Sequence, residues 1–501
     1  MKARTLLQGA GVAALVMFPI YGVVISSPST ERMHTPAPLT MFALSLIANL
    51  LLVSIVSALV GFWLRSRPES KSLKILSPGV VFASLAEAIY INMRGFESVH
   101  FWLIACLAVT ALAGALHFIW RRGERLLFQA SSATLMGLGF YCLFVMMQLL
   151  HLAMWRPLPN STLDMPTTKT TSANHPRVIW ILFDELSYDQ VFEHRYPSLD
   201  LPYFDKFRAF STLFIDTLPV ANATEKAITS ILLGQPIEQV NFTEHNQLEV
   251  ASASGVFHPF DAAQTPFAVA RQQGLTTGVD GWYNPYCSVL APYLNDCYWT
   301  DELVVPSAFA REGFWQNLFD PWLRYSDILH HVRHRKSLGY RVQAYQKLML
   351  HAGRMLQPSG PDFVFLHLPL PHPPGIYDRR TRRFNTSGKR SYVDNLALAD
   401  RTLGQLLAIL QQSPDWKNTS VVICGDHSWR VGTWVHSRYW TAEDEAASRG
   451  RVFDQRPLIM VHLAGQTTPA TMDSKFPLIQ LHNVLDDLVQ GKQPSFASAS
   501  H

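Results

Sequence analysis

The hydrophobic residues of the first 155 positions fall into five long apolar stretches. These stretches cover about residues 5–26, 40–64, 75–93, 101–120 and 126–154. Each has about 20 or more residues with few or no charges, which is enough to cross the ~30 Å hydrocarbon layer of a membrane as a helix. A cleaved signal peptide is the alternative for the first stretch, but four more stretches follow it. The pattern predicts a transmembrane domain of five helices over residues 1–155.

Lysine and arginine are unevenly distributed among the short loops of this domain. Nine of them lie at the N-terminus and in the loops after the second and fourth stretches, whereas the other loops hold only Arg32 and Arg94. Loops rich in Lys and Arg stay in the cytoplasm. We therefore expect a cytoplasmic N-terminus, and five crossings place everything after residue 155 outside the cytoplasm.

The hydrophobic pattern changes after residue 176. Short apolar runs typical of buried parallel strands alternate with helical patterns such as that of residues 392–412. The predicted strands are residues 178–183, 362–367, 420–424 and 457–462. This alternation predicts an α/β domain with a central, mostly parallel sheet over residues 177–490. Residues 156–176, rich in Pro, Ser and Thr, are expected to be a linker, and residues 491–501 a tail.

Composition supports this division of the chain. Charged residues make up 16% of the 501 residues, against about 25% in an average soluble protein, and the shortfall lies in the N-terminal domain. The formal net charge is only +4, and no basic block is long enough to bind a nucleic-acid backbone. We therefore expect a lipid bilayer around the N-terminal domain and no nucleic-acid partner.

Three of the predicted strands end in groups that can bind a metal ion. These groups are Asp184 and Glu185 after the first strand, His367 and His372 at the second, and Asp426 and His427 after the third. Two adjacent carboxylates that end a buried strand repel each other unless a cation lies between them. Because ligands bind at the carboxyl ends of parallel strands, the pattern predicts one or two divalent metal ions there. Zn or Mn suits carboxylate and imidazole ligands better than Ca or Mg; the alternative is that each pair caps a helix or faces solvent.

Thr224 is the candidate nucleophile. It lies near the predicted N-terminus of a helix, where the backbone amides and the helix dipole favour an anion. A hydroxyl group beside a metal ion loses its proton more easily and can attack a substrate. Thr229 and Ser230 in the same segment are alternatives, and Thr224 as a simple N-cap of the helix is another.

Two cysteines of the soluble domain can form a disulfide. Cys287 and Cys297 are ten residues apart, and disulfides persist outside the cytoplasm. Two reduced cysteines close to each other are the alternative.

The ordered motifs of the soluble domain resemble the sulfatase branch of the alkaline phosphatase superfamily. The motifs are VIWILFDELSYD, NATEKAITSILLGQ, HLPLPHPP, SVVICGDHSWR and RPLIMVHLAG, within residues 177–490. Five apolar spans before such a domain are similar to the membrane-bound phosphoethanolamine transferases and the lipoteichoic acid synthases. The resemblance implies a multi-pass protein of the bacterial inner membrane, with its catalytic domain in the periplasm or elsewhere outside the cytoplasm.

The resemblance also implies roles for individual residues. The resemblance to sulfatases implies that both Asp184 and Glu185 bind metal. The resemblance to the envelope transferases implies that Glu185 is the ligand of the two. The resemblance further implies that Thr224 is the nucleophile and that Asp426 and His427 bind the metal. It implies that His372 binds the substrate, and His436 is a looser match to a histidine near the metal. We expect His367 to assist His372 in holding phosphoryl oxygens.

The sequence departs from the sulfatase pattern at several positions. Sulfatases carry Cys or Ser in a C/S-x-P-x-R signature that is oxidised to formylglycine, whereas this chain has Thr224, Lys226 and Ile228. Thr cannot yield that aldehyde, so sulfate ester hydrolysis is disfavoured. The GWYNPY segment (281–286) lacks the Lys of the matching sulfatase segment, and Ser428 replaces the Gly that follows the Asp-His pair.

The expected activity is the transfer of a phospho-headgroup of the phosphoethanolamine or phosphoglycerol type. The donor would be a membrane lipid, the acceptor an envelope glycan or lipid, and the intermediate a phospho-threonine. The alternatives are a sulfatase-like hydrolase, acting as a phosphodiesterase or less readily on sulfuric esters, and a non-catalytic protein that keeps the fold. The basic stretch at residues 379–383 could bind an anionic headgroup, or it is a solvated loop.

Overall fold

A computed structural model describes most of the chain. The described residues are 3–26, 28–33, 35, 38–65, 124–157, 161–162, 176–300, 313–319, 322, 327–386, 389–437 and 439–496. The chain divides into two units. The first unit draws its described residues from 3–26, 28, 38–65, 124–156, 313–319, 322 and 327–329, and the second holds the others.

The described residues contain both long and short helices. In chain order they are α1 (Ala3–Ser26), α2 (Pro28–Met33), α3 (Thr40–Arg65), α4 (Glu124–Met154), α5 (Pro202–Arg208), α6 (Thr224–Leu233), α7 (Pro266–Gln272), α8 (Tyr286–Val289), α9 (Phe314–Phe319), α10 (Asp327–Met355), α11 (Tyr392–Gln412), α12 (Val431–Trp434), α13 (Ala442–Ala447) and α14 (Leu481–Val489).

The strands of the described residues all belong to the second unit. They are β1 (Ser161–Thr162), β2 (Arg177–Phe183), β3 (Thr212–Phe214), β4 (Thr217–Leu218), β5 (Gln239–Phe242), β6 (Leu248–Ala251), β7 (His258–Pro259), β8 (Thr277–Trp282), β9 (Asp296–Thr300), β10 (Phe363–Leu368), β11 (Tyr377–Asp378), β12 (Arg383–Phe384), β13 (Thr419–Gly425), β14 (Ile459–His462), β15 (Ala470–Met472) and β16 (Phe476–Pro477).

The first unit is built around α1, α3 and α4. Two segments of the described residues, Thr40–Trp63 and Gln129–Met154, are long and apolar enough to cross a membrane. The apolar part of α1, Ala3–Phe18, is shorter. The described residues thus contain two helices of membrane-spanning length rather than the five predicted, and the predicted spans at 75–93 and 101–120 lie outside them.

Glycines allow the helices of the first unit to approach closely. A Cβ atom at Gly11 would lie 2.0 Å from the backbone oxygen of Leu135, and one at Gly139 would lie 2.1 Å from that of Leu7. Only residues without a side chain permit such contact between helix backbones. These two positions therefore fix how α1 packs against α4.

A segment predicted to belong to the catalytic domain is part of the first unit instead. Asn49 in α3 is completely buried. Its Nδ2 donates to the backbone oxygen of Leu318 at 3.0 Å, and its Oδ1 accepts from Trp322 Nε1 at 2.8 Å. A buried amide needs such partners, and these attach α9 to α3.

The second unit contains a nine-stranded sheet in the order β1-β9-β8-β10-β2-β13-β14-β3-β15. Five neighbouring strands run parallel, in the order β9-β8-β10-β2-β13. β14 pairs antiparallel with β13 and with β3. Alternate side chains of β2 enter two cores. Ile179 and Ile181 pack with residues of α5, α10 and α11, whereas Val178 and Trp180 pack with residues of α6, α7 and α14. Because both faces are covered, β2 reads as a continuous apolar run.

The predicted α/β fold with a mostly parallel sheet is confirmed. The four predicted strands correspond to β2, β10, β13 and β14, and the helical pattern at 392–412 is α11. The segment expected to be a linker without regular structure contains a short strand, because Ser161 and Thr162 form β1 and pair with β9. Cys287 and Cys297 form a disulfide, with Cα atoms 5.6 Å apart, that joins α8 to β9.

Candidate active site

The site lies where β10, β2 and β13 end side by side. These strands are neighbours and parallel, so their carboxyl ends meet at one edge of the sheet. Asp184 and Glu185 follow β2, and Asp426 and His427 follow β13. All four side chains are completely buried. The structure therefore brings together the four predicted metal ligands from two segments that are more than 200 residues apart along the chain.

A strained turn separates the two carboxylates that follow β2. Glu185 has a left-handed φ of 64°, which costs a residue other than glycine about 1–2 kcal/mol. Its backbone N–H donates to Asp426 Oδ1 at 3.0 Å, and its carbonyl accepts from the Tyr392 hydroxyl at 2.7 Å. These bonds hold the strained conformation, as is common at functional sites.

Thr224 lies against these ligands. It is the first residue of α6, and its hydroxyl donates to Asp184 Oδ2 at 3.3 Å and lies 3.5 Å from His427 Nε2. The N-cap of α6 is Ala223, whose side chain makes no capping hydrogen bond. The alternative that Thr224 is only an N-cap is therefore wrong. A buried hydroxyl at a helix N-terminus is instead placed beside the candidate ligand set.

His427 is oriented as a metal-binding histidine. Its Nδ1 lies 3.0 Å from the backbone oxygen of Ser428. Because that oxygen can only accept a hydrogen bond, Nδ1 is the donor. Histidine ligands usually donate their second nitrogen in this way. Nε2 lies 3.1 Å from Asp426 Oδ2, so the two groups can share one ion.

The residues present fit a divalent metal ion. Ligand atoms of Asp184, Asp426 and His427 lie within 4.8 Å of one another. Among the described residues no donor hydrogen-bonds to Asp184 Oδ1 or Asp426 Oδ2, although both atoms are buried. Burial, followed by the nearby charges of Asp426 and Glu185, raises the pKa of Asp184 well above its ordinary 3.8. A cation would remove the cost of these uncompensated charges.

Glu185 already has cationic and hydrogen-bonding partners. Arg430 Nε donates to Glu185 Oε1 at 2.6 Å, and Trp434 Nε1 lies 2.9 Å from both carboxylate oxygens. A second possible ligand group consists of Asp184, Glu185 and His372. Glu185 as a metal ligand stays a prediction, because an ion would compete there with the Arg430 guanidinium.

The two histidines of the β10 segment are buried near the carboxylates. His367 Nε2 lies 4.0 Å from Asp184 Oδ2, and His372 Nε2 lies 3.4 Å from Arg430 Nη2. Burial lowers the pKa of His367 to about 4. Burial, followed by the charges of Arg341 and Arg430, lowers the pKa of His372 well below its ordinary 6.5. Both rings are therefore neutral at neutral pH.

The segment that lacks the sulfatase lysine supplies aromatic groups instead. The Tyr286 hydroxyl lies 2.7 Å from His367 Nδ1, and the Trp282 ring packs edge-on against His367 and His372 at 5.6 and 5.4 Å. A Cβ atom at Gly281 would lie 2.2 Å from the Tyr286 ring. Gly281 is therefore required for the Tyr286 ring to reach the histidine.

Stacked rings support the loop that follows β13. The Trp429 ring lies 4.3 Å from that of Tyr392 and 5.5 Å from that of Trp440, and both pairs are nearly parallel. Trp429 stands between His427 and Arg430 in the chain. This aromatic column, made of Tyr392, Trp429 and Trp440, therefore fixes the position of the loop.

Four residues of the site were not predicted from the sequence, namely Arg430, Trp434, Trp282 and Tyr286. Arg430 is part of the CGDHSWR motif, and its position four residues after Asp426 was the only signal for it. One predicted residue is not among the ligand clusters of the described chain: His436 is exposed in the turn after α12. Its role stays a prediction.

Comparison with known proteins gives a family and a set of distant structures. The sulfatase family model matches residues 176–453, and no curated protein matches the chain. Similar solved structures include the PsFucS1 sulfatase from Pseudoalteromonas sp., at 12% identity and a TM-score of 0.43, covering 63% of this chain and 68% of that one. The phosphonate monoester hydrolase of Agrobacterium radiobacter has 13% identity and a TM-score of 0.37, with coverages of 64% and 74%.

Murine ectonucleotide pyrophosphatase / phosphodiesterase 5 is a third similar structure, at 10% identity and a TM-score of 0.37, covering 64% of this chain and 98% of that one. Likenesses this remote do not carry residue roles to this chain. The family model, in contrast, covers more than half of the 501 residues. The chain belongs to the sulfatase family and is a sulfatase-like hydrolase or transferase.

Proposed function

We propose that this protein is a metal-dependent transferase of the bacterial inner membrane. It moves a phospho-headgroup, of the phosphoethanolamine or phosphoglycerol type, from a lipid to an envelope acceptor through phospho-Thr224. The observation that carries the proposal is the position of the buried Thr224 hydroxyl, 3.3 Å from Asp184 Oδ2 and 3.5 Å from His427 Nε2. A threonine there supports phosphoryl transfer rather than formylglycine chemistry on sulfate esters.

The residues that would hold the metal ion are Asp184, Asp426 and His427, with Glu185 as a possible fourth. Zn or Mn suits this set of carboxylate and imidazole groups better than Ca or Mg. When bound, the ion supplies charge stabilisation for the phosphoryl oxygens and lowers the pKa of the nucleophile.

The protein's own groups support a two-step transfer. Thr224 Oγ attacks the phosphorus, an O–P bond forms, and the bond from phosphorus to the lipid oxygen breaks. The Thr224 proton passes to Asp184 Oδ2, which accepts its hydrogen bond, and the lipid leaves as an alcohol after taking a proton from water.

In the second step an acceptor hydroxyl attacks the phosphorus and gives its proton to water, while Thr224 Oγ leaves and recovers a proton from Asp184. The neutral rings of His372 and His367 hold phosphoryl oxygens during both steps.

Features of the rest of the chain support a membrane location. Two apolar helices of the described residues are long enough to span a bilayer, and the loop charges predict a cytoplasmic N-terminus for the five spans expected from the sequence. The Cys287–Cys297 disulfide is typical of proteins outside the cytoplasm. An anchored catalytic unit would meet a lipid donor at a high local concentration.

A hydrolase is the second candidate function. The sulfatase family to which the chain belongs is named for a hydrolytic activity, and water in place of the acceptor would turn the same intermediate into a phosphodiesterase cycle. Sulfuric ester hydrolysis is less favoured because of Thr224. A non-catalytic protein that keeps the fold is the third.

Covalent labelling tests the proposed nucleophile. The full chain in proteoliposomes is incubated with headgroup-labelled phosphatidylethanolamine or phosphatidylglycerol, and the adduct is mapped by mass spectrometry. We expect labelling of the wild type, and none of Thr224→Ala, whose metal content is unchanged. Thr229→Ala is the matched control, because Thr229 is equally buried on the same helix, and it should be labelled normally. Labelling of Thr224→Ala would assign the nucleophile to another group.

The fate of the label separates the three functions. Transfer to an added glycan or lipid acceptor supports the transferase, and release of free headgroup alone supports the hydrolase. Absence of stoichiometric metal in the purified protein would favour the non-catalytic alternative.

A further inference from the structure

The loop that carries His372 continues directly into a basic hairpin. The hairpin consists of β11 and β12 and starts five residues after His372. Asn395 on α11 fixes both parts: its Nδ2 donates to the His372 carbonyl at 3.0 Å, and its Oδ1 accepts from the Ile376 N–H at 2.9 Å. The hairpin is therefore held in a constant position relative to the histidine loop.

Two adjoining cavities lie beside this hairpin. Their volumes are about 730 and 390 Å³, within the range of about 300–1,000 Å³ that is usual for ligand sites. Tyr377, Arg382 and Arg401 line both cavities. We call the pair of cavities the arginine groove; its other basic wall residues are Arg380 in the larger cavity and Arg383 in the smaller one.

The arginines of the groove differ in their partners. Arg379, which also lines the larger cavity, is neutralised by Asp394 at 2.9 Å and Glu443 at 2.5 Å, so it has a structural role. Arg380 lies 3.8 Å from Glu443. Among the described residues, Arg382, Arg383 and Arg401 have no ion pair with a carboxylate. An anion with two or more charges could therefore bind these guanidinium groups without breaking an ion pair inside the protein.

The acidic residues of the groove are few and lie in one part of it. The smaller cavity has no acidic residue in its described lining. The larger one has Asp200 and Asp400, and Asp400 Oδ1 accepts the backbone N–H groups of Tyr203 and Phe204 at 2.9 and 2.8 Å. These two bonds direct the carboxyl group of Asp400 at the start of α5, so the hairpin side of the groove is lined by arginines.

Arg382 occupies a backbone position that suits glycine better. Its φ of 57° is left-handed, and this conformation costs a residue with a side chain about 1–2 kcal/mol. The side chain is exposed, and within the described residues it makes no hydrogen bond or ion pair that would offset this cost. Strain of this kind is often found where a side chain is needed for binding.

The lining of the groove indicates the class of ligand. Tyr345 and Tyr377 lie 5.5 and 6.2 Å from Phe384, ring centre to ring centre, and they accompany the arginines of the smaller cavity. Tyr345 and Tyr377 are buried, whereas Phe384 is 38% exposed and offers an apolar ring face to the smaller cavity. Guanidinium groups pair with phosphate or carboxylate. Such a lining suits a saccharide that carries phosphate or carboxylate groups.

We infer that the arginine groove binds an anionic saccharide. The further claim that this saccharide is the acceptor of the transfer rests on the proposed function. Binding of the saccharide to the groove does not involve Thr224. The groove would bring the acceptor chain alongside the loop that carries His372.

Equilibrium binding tests the inference. The full chain in phosphatidylcholine nanodiscs is titrated into a fluorescein-labelled phosphorylated mannopentaose, and anisotropy gives the Kd. Arg382→Gly removes both the charge and the strained side chain, so we expect the Kd to rise about tenfold while Tm is unchanged or higher. Arg383→Gln and Arg401→Gln should weaken binding without altering the backbone. Lys475→Gln removes an exposed charge outside the groove and should change the Kd by less than about twofold.

Competition identifies what the groove recognises. Unphosphorylated mannopentaose and inorganic phosphate should each displace the probe only at concentrations at least about tenfold higher than the phosphorylated saccharide. An unchanged Kd in all three arginine variants would overturn the inference. So would displacement by either competitor at equal concentration, or displacement by phosphatidylglycerol vesicles but not by phosphatidylcholine ones, which would assign the groove to a membrane surface.

One variant separates this inference from the proposed function. Thr224→Ala should bind the phosphorylated saccharide with the wild-type Kd, because Thr224 does not line the groove. If lipid labelling of Thr224 fails while saccharide binding persists, the transferase proposal is wrong and the binding site stands.

Discussion

Glu185 shows how neighbouring side chains decide the role of a buried carboxylate. A pair of carboxylates after a buried strand predicts a metal ion between them, and Asp184 keeps that need, because no donor in the described chain reaches its Oδ1. Glu185 is different, since Arg430 and Trp434 already bind both of its oxygens. Of the two adjacent acids, Asp184 is thus the stronger metal-ligand candidate.

Removing Arg430 should destabilise the protein. Arg430→Gln leaves the fully buried Glu185 without its cation, and we expect a loss of up to about 3 kcal/mol in the free energy of unfolding. The double variant Glu185→Gln with Arg430→Gln should recover most of this loss, as measured by urea denaturation in a double-mutant cycle. Additive effects of the two substitutions would contradict the ion pair.

Metal content should respond differently to the two acidic residues. Glu185→Gln leaves Asp184, Asp426 and His427 in place, so it should bind metal in the same stoichiometry as the wild type. Asp426→Asn is the comparison and should lose the metal. Elemental analysis of the purified variants measures both, and equal loss in the two would establish Glu185 as an essential ligand.

Asp400 should make stability depend on pH. Burial raises its pKa from an ordinary 3.8 to about 7, so between these values the folded protein holds a proton that the unfolded chain has lost. The contribution of Asp400 is therefore greatest below about pH 4 and falls as the pH rises toward 7, by at most about 1.4 kcal/mol per pH unit. In Asp400→Asn, which keeps the Oδ1 acceptor, urea titrations at pH 5 and pH 8 should differ less than in the wild type. An identical pH profile for both proteins would exclude this proton.

The site could be predicted from the sequence where a residue ends an apolar run. Asp184, Asp426 and His427 were found in this way, because a buried parallel strand leaves its polar ending at the ligand-binding edge. Arg430 and Trp282 have no such signal, since their contacts join segments far apart in the chain and follow no period.

At the scale of elements, α6 determines where the nucleophile lies. The helix begins at Thr224 and ends before Gly234, whose left-handed φ of 65° forms the C-cap. A Cβ atom at Gly234 would lie 2.7 Å from the ring of His482 on α14. The packing of α14 against the end of α6 therefore helps to set the position of the helix that carries Thr224.

Gly234→Ala should destabilise the protein by more than a simple loss of a glycine C-cap. The left-handed conformation alone costs alanine about 1–2 kcal/mol, and the contact with His482 adds to it. Gly274→Ala is the matched control, because Gly274 has a φ of 78° but no atom within 4 Å of the point that a Cβ would occupy. Denaturant titration compares the two, and equal losses would show that the contact with His482 has no effect.

Strands were predictable only where their sequence is continuously apolar. β2, β10 and β13 have this pattern and were found. β8 is fully buried but reads TGVDGW, with two glycines and an aspartate, so no apolar run marks it. β1 has only two residues and is a strand because β9 lies beside it, which local sequence does not encode.

At the scale of the whole molecule, the chain forms two units whose boundaries do not follow the order of the sequence. α9 comes from the middle of the predicted catalytic domain, yet it packs on α3 in the first unit through Asn49. Hydropathy alone assigned residues 1–155 to the membrane domain. It could not assign α9, because a helix of six residues is too short to give a membrane signal.

The disulfide should contribute measurably to the stability of the second unit. Cys287 and Cys297 are both buried and ten residues apart in the chain, so replacing both with alanine should cost about 3 kcal/mol. Urea denaturation with and without reductant measures this: reductant should destabilise the wild type and leave the double variant unchanged. A wild type that is insensitive to reductant after full unfolding would contradict the bond.

The aromatic column behind the loop of Asp426 and Arg430 has a consequence for selectivity. A wall supported by the stacked rings of Tyr392, Trp429 and Trp440 has little freedom to yield to a molecule of the wrong shape. On the proposed function, a substrate too large to fit beside this loop would bind weakly, because the supported loop would not move aside for it.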